Sequence, residues 1–201
     1  MPGSSDGRLA NLLGAVATGL NDEVSDAAAA AELDVRAATA LVAMLDFTPS
    51  GSVNMLSQVV GLTHAGTVRL VNRLVAAGHV ERSPGRDLRT VSVKLTPKGR
   101  TVARQIRRQR HTAIRAVMAG LPEDQRERLE AACELLIANL TKQRLARRAS
   151  GTRPAGGALC RMCDFDACGR PAGRCPAAAA AQADHERRAG ERSSSGRREE
   201  R

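Results

Sequence analysis

The chain has 201 residues, 42% of them hydrophobic, a formal net charge of +10, and only Phe47 and Phe165 as aromatics. That is enough Leu, Val and Ala for one α-rich core, while the lack of aromatic platforms disfavours stacking on single-stranded nucleic acid and leaves duplex grooves as the better partner. No run of eighteen apolar residues occurs and the short polar start from Met1 to Arg8 is no signal peptide, so a cytoplasmic protein with no membrane partner is expected.

Residues 9 to 31 place Leu9, Leu12, Leu13, Val16, Leu20 and Val24 on one helical stripe, and Ala27 to Ala31 continues as strong helix former. A second amphipathic helix over 35–46 has Val35, Leu41, Val42 and Leu45 inward and ends at the turn cluster Thr48-Pro49-Ser50-Gly51. Before Leu62 acids outnumber bases seven to two, so this end should sit away from phosphates.

From Leu62 to Arg110 the balance reverses: twelve Lys and Arg stand against Glu81 and Asp87, an excess of ten that equals the net charge of the whole chain. A surplus confined to one quarter of a protein marks a phosphate-binding face, whereas a merely soluble surface scatters it. Just ahead of it, Met55, Leu56, Val59 and Val60 give a short amphipathic helix broken at Gly61. Thr63 then caps a helix of about four turns, over which Val68, Val71, Leu74 and Val75 recur until Gly78 ends it. That is helix-turn-helix spacing. The opposite side of the second helix offers His64, Thr67, Arg69 and Arg73 to base edges or phosphates.

After Gly78, His79 to Arg82 and the alternating Arg89 to Leu95 predict two strands joined by the loop Ser83-Pro84-Gly85-Arg86-Asp87-Leu88. A basic hairpin after a helix-turn-helix makes a winged helix, with Arg86 and Arg89 acting from the wing. Thr96-Pro97 starts a long helix over 97–119, with Val102, Ile106, Ala113 and Val117 inward and Arg100, Arg104, Arg107, Arg108 and Arg110 on its other faces, open either to solvent or to phosphates. Gly120 to Asp124 is a break. The next helix, 123–148, is expected to bury Leu129, Ala132, Cys133, Leu136 and Leu140, with Cys133 a buried small hydrophobe.

The runs Leu62 to Leu74, Gly78 to Arg82, Arg86-Asp87-Leu88-Arg89 and Val93-Lys94-Leu95-Thr96-Pro97-Lys98-Gly99 resemble the MarR family of bacterial transcriptional regulators. The likeness covers roughly residues 8 to 147, and its most specific part is the wing signature Asp-x-Arg followed by a strand and Leu-Thr-x-x-Gly. The resemblance implies a dimeric winged-helix DNA-binding protein, usually a repressor released by a small ligand or by oxidation. It implies that Arg89 is the wing arginine reaching DNA, that Asp87 braces the wing loop, and that Thr63, His64, Thr67, Arg69 and Arg73 belong to the recognition helix. It also implies that the first helix pairs with the C-terminal helices of a partner copy. Asn72 departs from the family pattern, which often has an acid there.

Residues 150–159 turn to Gly, Pro, Ser and Arg and read as a linker. Cys160, Cys163, Cys168 and Cys175 follow at spacings C-x2-C-x4-C-x6-C, with Arg161, Arg170 and Arg174 among them. Four thiolates complete a tetrahedral zinc site. The Cys175-Pro176 ending also fits an iron–sulfur cluster, and reversible disulfides or an unliganded segment remain open. A short helix over Ala177 to Ala183 and a disordered charged end complete the chain.

Nothing supports catalysis, since His64, His79, His111 and His185 are scattered and neither a phosphate loop nor a nucleophile elbow occurs. The sequence thus predicts a mainly α fold with a β-hairpin wing, flanked by N- and C-terminal dimerisation helices. Its parts are a DNA-binding and dimerisation domain over 1–149, the linker, a cysteine segment over 160–176 and a tail over 177–201. The function expected is a homodimeric repressor of a roughly palindromic double-stranded operator, responsive to a small effector or to redox state. Two alternatives are a metal or redox sensor controlled by the cysteines and an anti-repressor that acts by heterodimerising.

Overall fold

Four short polar side chains decide where all but the first of the helices described in the first 120 residues begin. In a computed structural model that describes residues 5–85, 91–152 and 156–199, the carboxylate of Asp34 accepts from the Ala37 amide at 2.8 Å and Ser52 accepts from Met55 at 3.2 Å. Thr63 and Thr96 do the same for Gly66 at 3.1 Å and Gly99 at 3.0 Å. Each such cap satisfies an amide that has no partner within the helix and is worth about 1 kcal/mol. The elements they delimit are α1 (Ser5–Ala29), α2 (Val35–Asp46), β1 (Gly51–Ser52), α3 (Val53–Val60), α4 (His64–Ala76), β2 (Val80–Pro84), β3 (Val91–Leu95) and α5 (Pro97–Val117). A second unit, from Leu121 onward, holds α6 (Glu123–Ala149) and α7 (Pro176–Glu199).

In the first unit α2 is the central helix. Every residue from Ala37 to Met44 is buried, so it is enclosed on all sides rather than amphipathic, and its alanines let neighbouring elements approach closely. Leu56, Leu70, Val71, Leu74, Val80, Val93, Leu95 and Ala103 complete this core. The sheet has three strands in the order β1-β3-β2. The expected hairpin is present as β2 and β3, with Val80 opposite Leu95 and Pro84 opposite Val91. The third strand was not expected: Gly51, the last residue of the presumed turn cluster, and Ser52 after it pair with Val93 and Ser92. Two residues carry no readable alternation, and their pairing depends on a strand some forty residues away.

Several inward assignments change. Met55 and Val91 are exposed, the latter at the outer end of β3. On α5 the buried positions are Gly99, Ala103 and Ile106, Ala113 is only half-buried and Val117 is exposed, because the far end of the helix runs past the core it packs on.

The junction between α4, the sheet and α5 is unusually close. The Gly78 backbone is left-handed, with φ 73°. Thr96 donates its hydroxyl to the Gly78 carbonyl at 2.7 Å and its amide to the His79 carbonyl at 3.0 Å, while the Lys98 ammonium donates to the Ala77 carbonyl at 3.0 Å. Thr96 thus caps α5 and closes the end of α4 at once, which gives the Leu-Thr-x-x-Gly pattern its physical content.

His79 is 8% exposed, and its Nδ1 is buried without a hydrogen-bond partner. Burial, reinforced by the nearby Lys98 charge, holds its pKa below the usual imidazole value. A depressed histidine favours the neutral ring in the fold, so its contribution is intact above the unfolded pKa of about 6.5 and declines as pH falls below it. The urea midpoint should therefore drop between pH 7.5 and 5.5, and by less in His79→Gln.

In the second unit, Glu123 and Asp124 in the first turn of α6 face the positive end of its dipole. The expected burial of Leu129, Ala132, Cys133, Leu136 and Leu140 is overturned: α6 has no buried residue and all five positions are exposed. Its sheltered side lies elsewhere, at Ile137, Ala138, Thr141, Arg144 and Leu145. The helix α7 extends beyond the alanine run to Glu199, where composition predicts a disordered end. Asp184 supports it by bonding Arg187 at 2.5 Å and Arg188 at 2.6 Å, the spacing at which helical side chains meet.

Candidate nucleic-acid interface

The helix α4 is held by one face and open on the other. Thr67, Leu70, Val71 and Leu74 are its buried residues, an i, i+3, i+4, i+7 stripe packed on α2 and the sheet. This corrects the placement of Thr67, which is 0% exposed and donates its hydroxyl to the Thr63 carbonyl at 2.9 Å. Thr67 cannot reach a base. A threonine can sit on an apolar stripe because that bond satisfies its hydroxyl within the helix.

The open face carries His64, Ala65, Arg69, Asn72, Arg73 and Ala76. Thr63 is also exposed, with its oxygen engaged as the helix cap. Arg69 and His64 therefore stand where the sequence places them. Arg73 is outward as expected, but its Nη1 lies 2.9 Å from Asp34. Burial raises the Asp34 pKa, while the Ala37 amide and the Arg73 guanidinium outweigh it and hold the carboxyl below its ordinary value. Arg73 is thereby oriented by the end of the α1–α2 connection, and a phosphate would have to share it.

Arg36 is the residue that sequence reasoning missed. With Leu62, Gly66, Arg69, Asn72 and Arg73 it lines an open concavity alongside α4, so three guanidinium groups border one depression. Arg36 precedes the basic stretch by more than twenty residues, and only the packing of α2 against α4 brings it there.

Asn72, the departure from the family pattern, is not idle. Its Oδ1 accepts from the Arg82 guanidinium on β2 at 2.5 Å. A neutral acceptor replaces a carboxylate there and still ties the helix to the wing strand. On the wing, Lys94 and Glu81 face each other across the strands at 3.3 Å. The expected wing contacts Arg86 and Arg89 and the bracing Asp87 lie outside the described residues.

The arginines of α5 divide into two groups. Arg100, Arg104 and Arg108 are exposed, whereas Arg107 turns inward to Asp46 at 2.6 Å, where it fixes α5 to the end of α2. Part of the basic stretch is therefore structural, and among the described residues the cationic face that remains belongs to α4, its Arg36 neighbour and the outer side of α5.

A helix-turn-helix whose second helix exposes arginines, followed by a β-hairpin and flanked by long helices, defines a winged-helix protein. No family model matches the chain, and neither does any curated protein. Among solved structures it is similar to a MarR family protein from Bacillus stearothermophilus, with a TM-score of 0.63 and 22% identity over 70% of this chain and 99% of that one. It is also similar to the MarR family protein Rv2887 of Mycobacterium tuberculosis, with a TM-score of 0.53 and 26% identity over 68% and 98% of the two chains. A third is a mutant MepR of S. aureus bound to an oligodeoxyribonucleotide, with a TM-score of 0.51 and 13% identity over 66% and 97%. The chain has the winged-helix fold of the MarR family regulators, and its likeness to them covers about two thirds of its length.

Proposed function

We propose that the protein is a homodimeric, sequence-specific, double-stranded DNA-binding transcriptional regulator, with α4 in the major groove and the wing against the backbone or the minor groove. The observation that carries this reading is the outer face of α4: His64, Arg69 and Arg73 point away from a core that grips the opposite face, with Arg36 beside them. A helix so mounted presents its guanidinium groups on one open face, the major groove admits a helix, and arginine is the usual reader of guanine edges there. The DNA-bound MepR neighbour supports duplex DNA as the partner.

Two apolar stripes support the homodimer. Leu9, Leu12, Leu13 and Val16 on α1, and Leu129, Leu135, Leu136 and Leu140 on α6, are exposed in the single chain. Rows of leucine at helical spacing are costly to leave in water, and a second copy would cover them. Two reading helices related by a twofold axis would then meet half-sites about 34–36 Å apart on a roughly palindromic operator.

The test is a fluorescence titration with the duplex upstream of the protein's own gene and an unrelated duplex of equal length, across a salt series. Tighter binding to the first, with a steep negative log–log salt slope, is expected. Arg89→Ala should flatten that slope by about 1 if the wing arginine meets a phosphate; an unchanged slope removes the wing from the contact set. Equal affinity for both duplexes at every salt concentration would refute sequence-specific recognition of that upstream site.

A further inference from the structure

The segment between α6 and α7 lies outside the winged helix, and what it buries is sulfur. From Cys160 to Cys175 the chain forms only turns, yet Cys160 and Cys175 are 9% and 2% exposed, and Met162 is buried with them. So short a segment cannot stabilise itself by apolar burial and needs a cross-link of some kind. None of the cysteines is in a disulfide.

The turns are held by hydrogen bonds within the segment. The Cys163 amide donates to the Cys160 carbonyl at 3.0 Å, the Cys168 amide to the Asp164 carbonyl at 3.0 Å and the Arg174 amide to the Gly169 carbonyl at 3.0 Å. Gly169 and Gly173 are left-handed, with φ 68° and 74°. The Asp164 carboxylate takes the amides of Asp166 and Ala167 at 3.1 and 3.2 Å. The Arg170 guanidinium stacks on the Phe165 ring at 4.4 Å. At the start of the segment, Arg144 on α6 donates to the Gly157 carbonyl.

These turns bring all four thiols of the segment together. Cys160 lies close enough to Cys163 and Cys175 to interact with both, and Cys168 close enough to interact with Cys175 and Cys163, while the Cys168 thiol donates to the Phe165 carbonyl at 3.5 Å. Among the described residues no group of three or more His, Cys, Asp or Glu is placed as a finished metal-ligand set, so the four thiols would have to close on an ion as it binds. Four thiolates cannot occupy this space together unless a cation compensates them.

We propose that Cys160, Cys163, Cys168 and Cys175 form a four-thiolate site for one zinc ion, which cross-links the segment between α6 and α7. Sulfurs around a single zinc sit about 3.8 Å apart, given Zn–S bonds of about 2.3 Å, a separation that the two-residue gap between Cys160 and Cys163 suits. A cluster of several irons and sulfides needs the thiols spread further. On binding, four S–H bonds break, four Zn–S bonds form, and four protons leave to solvent, giving a site of net charge −2. Arg161, Arg170 and Arg174 on the same segment offset that charge.

The experiment uses the full chain purified under reducing conditions without chelator, and it involves no DNA. Elemental analysis should find about one zinc per chain in the wild type and in Cys133→Ser, and at least a tenfold loss in Cys160→Ser and Cys175→Ser. Because those two variants can also lose structure, the metal-free wild type is titrated with Co2+, which should give the intense charge-transfer and visible bands of tetrahedral thiolate coordination, saturating at one equivalent and displaced by Zn2+. Proton release on Zn2+ addition should approach four per chain at neutral pH. Absence of stoichiometric zinc after reconstitution, zinc that survives both substitutions, or iron with acid-labile sulfide in its place would overturn the proposal.

Discussion

Gly99→Ala should destabilise the protein by about 3 kcal/mol, lowering Tm by roughly 6–12 °C. A Cβ at this position would stand 1.9 Å from the His79 carbonyl oxygen and 2.7 Å from its carbon. Both are backbone atoms at the entry to β2, and that oxygen already accepts from the Thr96 amide at 3.0 Å, so no side-chain rotation relieves the clash. The helix α5 must lift or the α4–β2 junction must open. Gly120→Ala is the control: nothing lies within 4 Å of its added methyl, so its effect should stay within about 0.5 kcal/mol. Thermal melts of both variants check this, and a Gly99→Ala protein as stable as the wild type would mean that α5 does not approach the sheet this closely.

Arg69→Ala should weaken binding to the cognate duplex by about ten- to a hundredfold, or roughly 1–3 kcal/mol, without changing Tm by more than a degree or two. Arg69 is exposed on the outer face of α4, and removing it leaves the packed face untouched. Arg107→Ala is the informative contrast, because Arg107 belongs to the same basic stretch but is partly buried against Asp46. Its loss should lower stability by about 1–3 kcal/mol by removing a close charged partner of that carboxylate, with little change in affinity at temperatures where the variant is folded. The same titration run on both variants separates the two roles. Equal losses of affinity would mean that charge alone governs binding and that α4 does not read the groove.

The contrast between Arg69 and Arg107 also shows where sequence reasoning reaches its limit. The caps at Thr63 and Thr96, the glycine ending α4 and the β2–β3 hairpin are set by rules that act over a few residues, so they are legible without a structure. Helical phase is less so. Val68 looked like the better core residue and Thr67 like the better reader, but the buried stripe of α4 includes Leu70 and turns Thr67 inward. Arg36 was invisible for another reason: its place beside Arg69 arises from tertiary packing across more than thirty residues. On α6 the apolar stripe was read correctly as a pattern, and only its burial within one chain was not. A row of leucines states that something must cover it and leaves unspecified whether that is the same chain or another.

The two-residue strand β1 has a mechanical consequence. It joins directly to α3 and is sewn to β3, while Asn72 of α4 is fastened to Arg82 of β2. Both helices of the reading motif are therefore bolted to the same small sheet from opposite edges, and 51–84 with 91–95 behaves as one block. Any signal that alters the distance between two such blocks in a dimer has no joint to bend inside them. If the protein is the dimeric regulator proposed above, the articulation lies in the segments leading into and out of the block, and substitutions that tune its responsiveness without altering operator sequence preference should collect there.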